Sequence, residues 1–162
     1  MKIDFAAEIL QRLRATGVVA GFAVERAEHA VPIARALVAG GIDAIELTLR
    51  TLAGFDAIRA IADEVPEMLL GVGTILTPEQ VAETKAAGAD FGVSPGLNRR
   101  VVMEAATLGL PFAPGVATPT ELEAAMEMDC RFVKFFPAEG LGGIGYLRSM
   151  SAPYRRLGIE YF

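Results

Sequence analysis

The chain of 162 residues holds one cysteine, Cys130, so no internal disulfide can form. A lone thiol reads as a free cysteine in a reducing cytoplasm rather than as a catalytic group. No cluster of cysteines and histidines has the spacing of metal ligands. The only histidine, His29, opens a helical stretch and reads as a surface residue. No apolar run is long enough to cross a bilayer. The N-terminus, Met1-Lys2-Ile3-Asp4-Phe5, lacks the basic region and apolar core of a secretion signal. The net charge of −5 comes without a basic stripe or a block of like charge, which argues against nucleic acid as a partner.

Lysine is also scarce. Of 15 basic residues, three are lysines: Lys2, Lys85 and Lys134. Lys2 sits at the terminus, and Lys85 lies in the polar helical stretch Glu83-Thr84-Lys85, where a solvated charge is the simplest reading. Lys134 differs. It lies in Arg131-Phe132-Val133-Lys134-Phe135-Phe136-Pro137, an apolar setting for an ammonium group.

What the sequence does contain is 52% hydrophobic and 22% charged residues, the balance of a globular domain with a substantial core. Short apolar runs alternate with amphipathic stretches. Strands are predicted at 18–23, 42–47, 68–73, 90–94, 111–116, 131–136 and 158–162, with starts 24, 26, 22, 21, 20 and 27 residues apart. That is the period of a repeated strand–loop–helix unit. Ala27, Ala30, Val31, Ala34, Leu37 and Val38 mark the buried face of one helix, which Gly40-Gly41 ends. Thr77-Pro78-Glu79-Gln80 and Thr118-Pro119-Thr120-Glu121 read as capping boxes with proline in the first helical turn. A further helix is expected at about 4–15.

Repeated units of this kind give parallel strands with right-handed crossovers, in an open sheet or a closed barrel. The first strand runs into Val24-Glu25-Arg26-Ala27 without the glycine-rich loop of a dinucleotide-binding sheet, which favours the barrel. The expected fold is an α/β, parallel (β/α)8 TIM-type barrel in one domain over residues 1–162. Seven strands are counted where such a barrel has eight. The sequence therefore reads as truncated before strand eight, unless a strand has been missed or the form is open.

Reactive groups in such barrels sit at the C-terminal ends of strands. Alternation places Glu46, Thr48 and Arg50 on one face of the second strand. Charges on a core strand read either as a Glu46–Arg50 ion pair or as working groups. Thr74, after Gly71-Val72-Gly73, presents a hydroxyl at the rim or serves as a turn residue. Val93-Ser94-Pro95-Gly96 is a turn signal, and Thr118 reads as a helix cap rather than a ligand. Burial disfavours a charged Lys134, and a neutral amine is the nucleophile of Schiff-base chemistry. The alternative is a lysine that snorkels to solvent. Gly142-Gly143 would cradle a phosphate or form a turn, and Arg99-Arg100 reads as solvated.

Taken together, these segments resemble the 2-keto-3-deoxy-6-phosphogluconate (KDPG/KHG) aldolase family. The resemblance rests on Glu46-Leu47-Thr48-Leu49-Arg50-Thr51, Gly71-Val72-Gly73-Thr74, Val93-Ser94-Pro95-Gly96, Pro114-Gly115-Val116-Ala117-Thr118 and Val133-Lys134-Phe135-Phe136-Pro137-Ala138-Glu139, in this order. The first strand, Val18-Val19-Ala20-Gly21-Phe22-Ala23, departs from the family pattern, and the family's phosphate-binding loops would follow Phe162. The resemblance implies a cytoplasmic class I aldolase of Entner–Doudoroff carbohydrate metabolism, a homotrimer that needs no metal or cofactor. It implies Lys134 as the Schiff-base lysine, Glu46 as acid and base, Arg50 and Thr74 as holders of a keto acid carboxylate, and Pro95 and Phe136 as pocket walls. The rival expectation is a non-catalytic barrel fragment that serves as a scaffold subunit.

Overall fold

The structure is a computed structural model that describes Phe5 and residues 7–162. Helix α1 spans Ala7–Thr16, and the start of the helix expected at about 4–15 lies partly outside the described residues. The strands are β1 (Ala20–Phe22), β2 (Ala44–Thr48), β3 (Leu69–Gly73), β4 (Phe91–Val93), β5 (Phe112–Ala113), β6 (Gly115–Val116), β7 (Phe132–Phe135) and β8 (Glu160–Tyr161). Between them run α2 (Ala30–Ala39), α3 (Gly54–Glu64), α4 (Pro78–Ala86), α5 (Arg99–Leu108), α6 (Pro119–Glu127) and α7 (Gly143–Ser151). Every strand pair is parallel, in the orders β1-β2-β3-β4-β5 and β6-β7-β8.

The expected fifth strand, 111–116, is split at Pro114. Proline has no N–H for the ladder. Phe112–Ala113 pairs with β4, and Gly115–Val116 pairs with β7. The Pro114 carbonyl still accepts from the Lys134 N–H at 2.9 Å, which ties the two sheets together. At the other side, among the described residues, β1 pairs only with β2, and β8 only with β7. Between them opens a cavity of about 420 Å³, walled by Leu10, Leu13, Val19, Phe132 and Phe162 among others.

Alternation along each strand divides the core in two. Ile45 and Leu47 of β2, Leu70 and Val72 of β3 and Val133 of β7 point outward to the helices, where they meet Ala34, Ile58, Ile61, Val101 and Leu122. Ala44, Leu69, Phe91 and Val93 form the inner cluster with Phe5 and Leu13. Phe5, Phe91, Phe132 and Phe162 meet by their rings there, tilted or edge-on at 53–78°, with centroids 4.6–6.4 Å apart. Phe91 and Phe132 are the first residues of β4 and β7, so their rings line the N-terminal half of the interior beside that cavity. The polar residues Glu46, Thr48 and Lys134 therefore sit above an apolar floor, toward the C-terminal ends of the strands.

Both capping boxes form as the sequence implies. Thr77 accepts from the Gln80 N–H at 3.3 Å and donates its own N–H to Gln80 Oε1 at 3.2 Å. Thr118 and Glu121 repeat the arrangement, so Thr118 is a helix cap. The end of α2 differs in detail. Gly40 keeps φ −84° and Gly41 takes the left-handed turn at φ +85°. Among the described residues, no helix is long and apolar enough to cross a membrane.

Candidate active site

Glu46 lies mid-strand in β2 with its side chain only 8% exposed, and Lys134 lies in β7 with 18% exposed. The two are 88 residues apart in sequence. In space the Lys134 ammonium donates to both carboxylate oxygens of Glu46, at 2.8 and 3.0 Å. The Lys134 Nζ also stands 5.3 Å from the ring centroid of Phe136 and 5.8 Å from that of Phe162. The lysine thus neither snorkels away nor sits alone among phenylalanines. A carboxylate and two aromatic faces compensate its loss of water.

The Glu46–Arg50 ion pair that the strand pattern permitted does not form. Arg50 instead donates its Nε to Thr48 Oγ1 at 3.1 Å, and the Thr48 hydroxyl donates to the Phe22 carbonyl at 3.1 Å. Thr48 therefore braces the guanidinium between two strands. It was legible as sharing a face with Glu46 and Arg50, but the alternation gave no sign of this bracing role. Thr74 follows β3 with φ +63°, a left-handed conformation that is an outlier for a β-branched residue. Such strained residues cluster at functional sites.

One cavity of about 300 Å³ is lined by Gly21, Glu46, Thr48, Arg50, Thr74, Pro95, Lys134 and Phe136. All six residues singled out from the sequence meet there. Gly21 and Thr48 join them, and Gly21 brings the first strand into the wall despite its departure from the family pattern. The cavity sets an amine against a carboxylate, with a guanidinium and a hydroxyl in the same lining. Of the residues set aside, His29, Arg99 and Arg100 are exposed. Cys130 is buried, and burial followed by the nearby Asp129 charge pushes its thiol up to about 12. Gly142 and Gly143, both left-handed, lead into α7 outside this cavity. Among the described residues no group of three or more histidine, cysteine or acidic side chains is placed to hold a metal ion.

Parallel strands wrapped by helices, with the polar constellation above an apolar floor, define a TIM-type (β/α) barrel chain with its site at the C-terminal rim. The family model for KDPG and KHG aldolases matches residues 9–160. The chain belongs to the KDPG and KHG aldolase family. It is 50% identical over 147 residues to the 2-dehydro-3-deoxy-phosphogluconate aldolase of Treponema pallidum, covering 91% of this chain and 69% of that protein. The KHG/KDPG aldolase of Escherichia coli K12, 47% identical over 134 residues, is covered to 63% of its length, so the chain spans about two thirds of such relatives. Among solved structures, the 2-keto-3-deoxy-6-phosphogluconate aldolase of Zymomonas mobilis ZM4, crystallised with 3-phosphoglycerate, superimposes with a TM-score of 0.88. It shares 35% identity, over 95% of this chain and 72% of that one. The KDPG aldolase of Legionella pneumophila, with pyruvate captured as a covalent carbinolamine, gives a TM-score of 0.83 at 36% identity, over 88% of this chain and 68% of that one.

Proposed function

We propose that the protein is a class I aldolase that cleaves a 2-keto-3-deoxy sugar acid through a Schiff base on Lys134. The observation that carries the reading is the contact of the Lys134 Nζ with both oxygens of a buried carboxylate, inside a cavity that Arg50 and Thr74 also face. Covalent pyruvate in the Legionella relative supports the same chemistry.

In this scheme Arg50 and Thr74 hold the keto acid's carboxylate and present its C2 carbonyl to Lys134. Glu46 takes a proton from the ammonium, and the freed amine attacks C2 to give a carbinolamine. Glu46 returns the proton to the C2 hydroxyl, which leaves as water, and an iminium remains. Glu46, again a carboxylate, then removes the C4 hydroxyl proton. The C3–C4 bond breaks, its electron pair forms an enamine at C3, and C4 departs as an aldehyde. Protonation of C3 followed by hydrolysis releases pyruvate and restores the lysine. By family resemblance the substrate is 2-keto-3-deoxy-6-phosphogluconate, the aldehyde is glyceraldehyde 3-phosphate, and the working form is a homotrimer.

Borohydride reduction in the presence of pyruvate tests the scheme. Peptide mass mapping should find the adduct on Lys134. Lys85 is the internal control, since its exposed amine donates to the Gly109 carbonyl at 3.3 Å and lies outside the cavity. An adduct on Lys85, or none at all, defeats the proposal.

A further inference from the structure

The Glu46 carboxylate has a positional problem. Among the described residues its hydrogen bonds all come from Lys134. Once the nitrogen becomes an iminium it keeps a single N–H, so the two bonds fall to one at most, at the stage when the aldolase scheme needs the carboxylate as a base. Something other than hydrogen bonding has to keep it in place.

The backbone of β3 supplies that constraint. Glu46 pairs in register with Gly71, and Thr48 with Gly73. The Glu46 side chain leans along its strand toward the C-terminal rim, so its carboxylate lies over Gly73 instead of Gly71. A Cβ built on Gly73 would stand 1.9 Å from Glu46 Oε1 and 2.7 Å from both Cδ and Cγ. Real Cβ atoms essentially never approach closer than 3.0 Å. The carboxylate therefore occupies the volume that any other residue would fill with its side chain. Gly73 has no left-handed backbone to explain its identity, since it is absent from the positive-φ glycines. Its missing side chain is what the site uses.

We propose that Gly73 is a positioning residue for the reaction: it forms the recess that keeps the Glu46 carboxylate within reach of the Lys134 nitrogen. The inference rests on the aldolase reading. A methyl group at position 73 displaces the carboxylate by about an ångström or more, and misplacement of that size lowers rates by roughly 100-fold. The three nearest atoms to that methyl group all belong to Glu46 and none to Arg50, so the guanidinium that holds the carboxylate is left in place.

The test compares wild type, Gly73→Ala, Glu46→Ala and the double variant. Single-turnover imine formation with pyruvate, trapped by borohydride, and steady-state cleavage are followed. Gly73→Ala should lower the imine rate and kcat about 100-fold while KM moves less than about threefold. In the Glu46→Ala background the same glycine change should add less than about a threefold loss, because nothing remains to be displaced. A Gly73→Ala protein that fails to fold should be rescued by Glu46→Ala for the same reason. A wild-type rate in Gly73→Ala overturns the proposal, as do equal losses in both backgrounds or a double variant that stays unfolded. A wild-type protein that traps no pyruvate brings down the aldolase reading, and this one with it. Trapping that is equal in wild type and Gly73→Ala brings down this one alone.

Discussion

Replacing Lys134 by methionine isolates the energetics of the site from its chemistry. The substitution keeps an unbranched apolar stem and removes the ammonium. It leaves the Glu46 carboxylate, 8% exposed, without a hydrogen-bond donor among the described residues. Breaking a buried ion pair by deleting one partner costs about 3–5 kcal/mol in the general case. Here the lysine is 18% exposed and lines an open cavity, which places the expected loss at or just below the bottom of that range, about 2–3 kcal/mol. For a domain of this size that is a fall in Tm of roughly 5–10 °C. The double variant Lys134→Met with Glu46→Met removes both charges and should recover most of the loss, since an apolar pair of similar volume is often neutral or better. Urea denaturation of the wild type, both single variants and the double variant closes the cycle. A loss below about 0.5 kcal/mol in Lys134→Met would mean that the pair is solvated, as surface pairs are. A double variant less stable than either single variant would refute the account of an isolated carboxylate.

Three other outcomes follow from the geometry. Thr48→Val removes the acceptor of the Arg50 Nε–H, and KM for the keto acid should rise about tenfold with kcat within about twofold in steady-state assays. The Thr16 hydroxyl, and then the Arg12 guanidinium, hold the Asp43 carboxyl below its ordinary range. Because the folded pKa is depressed, this contribution to stability is present above the unfolded value of ~3.9 and is lost as pH falls through the folded one. Asp43→Asn should therefore be less stable than wild type near neutrality, and denaturation curves of the two should converge in acid below that value. Cys130 is fully buried, with its thiol pushed up to about 12, so alkylating reagents should label it only as fast as the protein opens. Labelling at the rate of a free thiol in the folded protein would contradict its placement.

The alternation of strand and helix was legible because it is local. A strand declares itself by period two and a helix by spacings of three and four, and the threonine caps lie within three residues of their partners. The same period placed Glu46, Thr48 and Arg50 on one face, and the apolar neighbours of Lys134 marked it as unusual. These signals need no knowledge of what lies across the barrel. The break at Pro114 was less visible, since the six residues around it read as one apolar run.

What the tertiary structure alone decided is the partner of each group. Sequence left Glu46 free to pair with Arg50, four residues away. The barrel's curvature brought Lys134 to it from 88 residues away and sent Arg50 to Thr48. Nor does the motif Gly71-Val72-Gly73-Thr74 say which glycine lies under the carboxylate. The answer depends on the strand register and on the tilt of the Glu46 side chain. Faces follow from the backbone's own repeat, which each segment carries alone. Contacts across the interior follow from how the segments are assembled, and strand-by-strand periodicity does not contain that information.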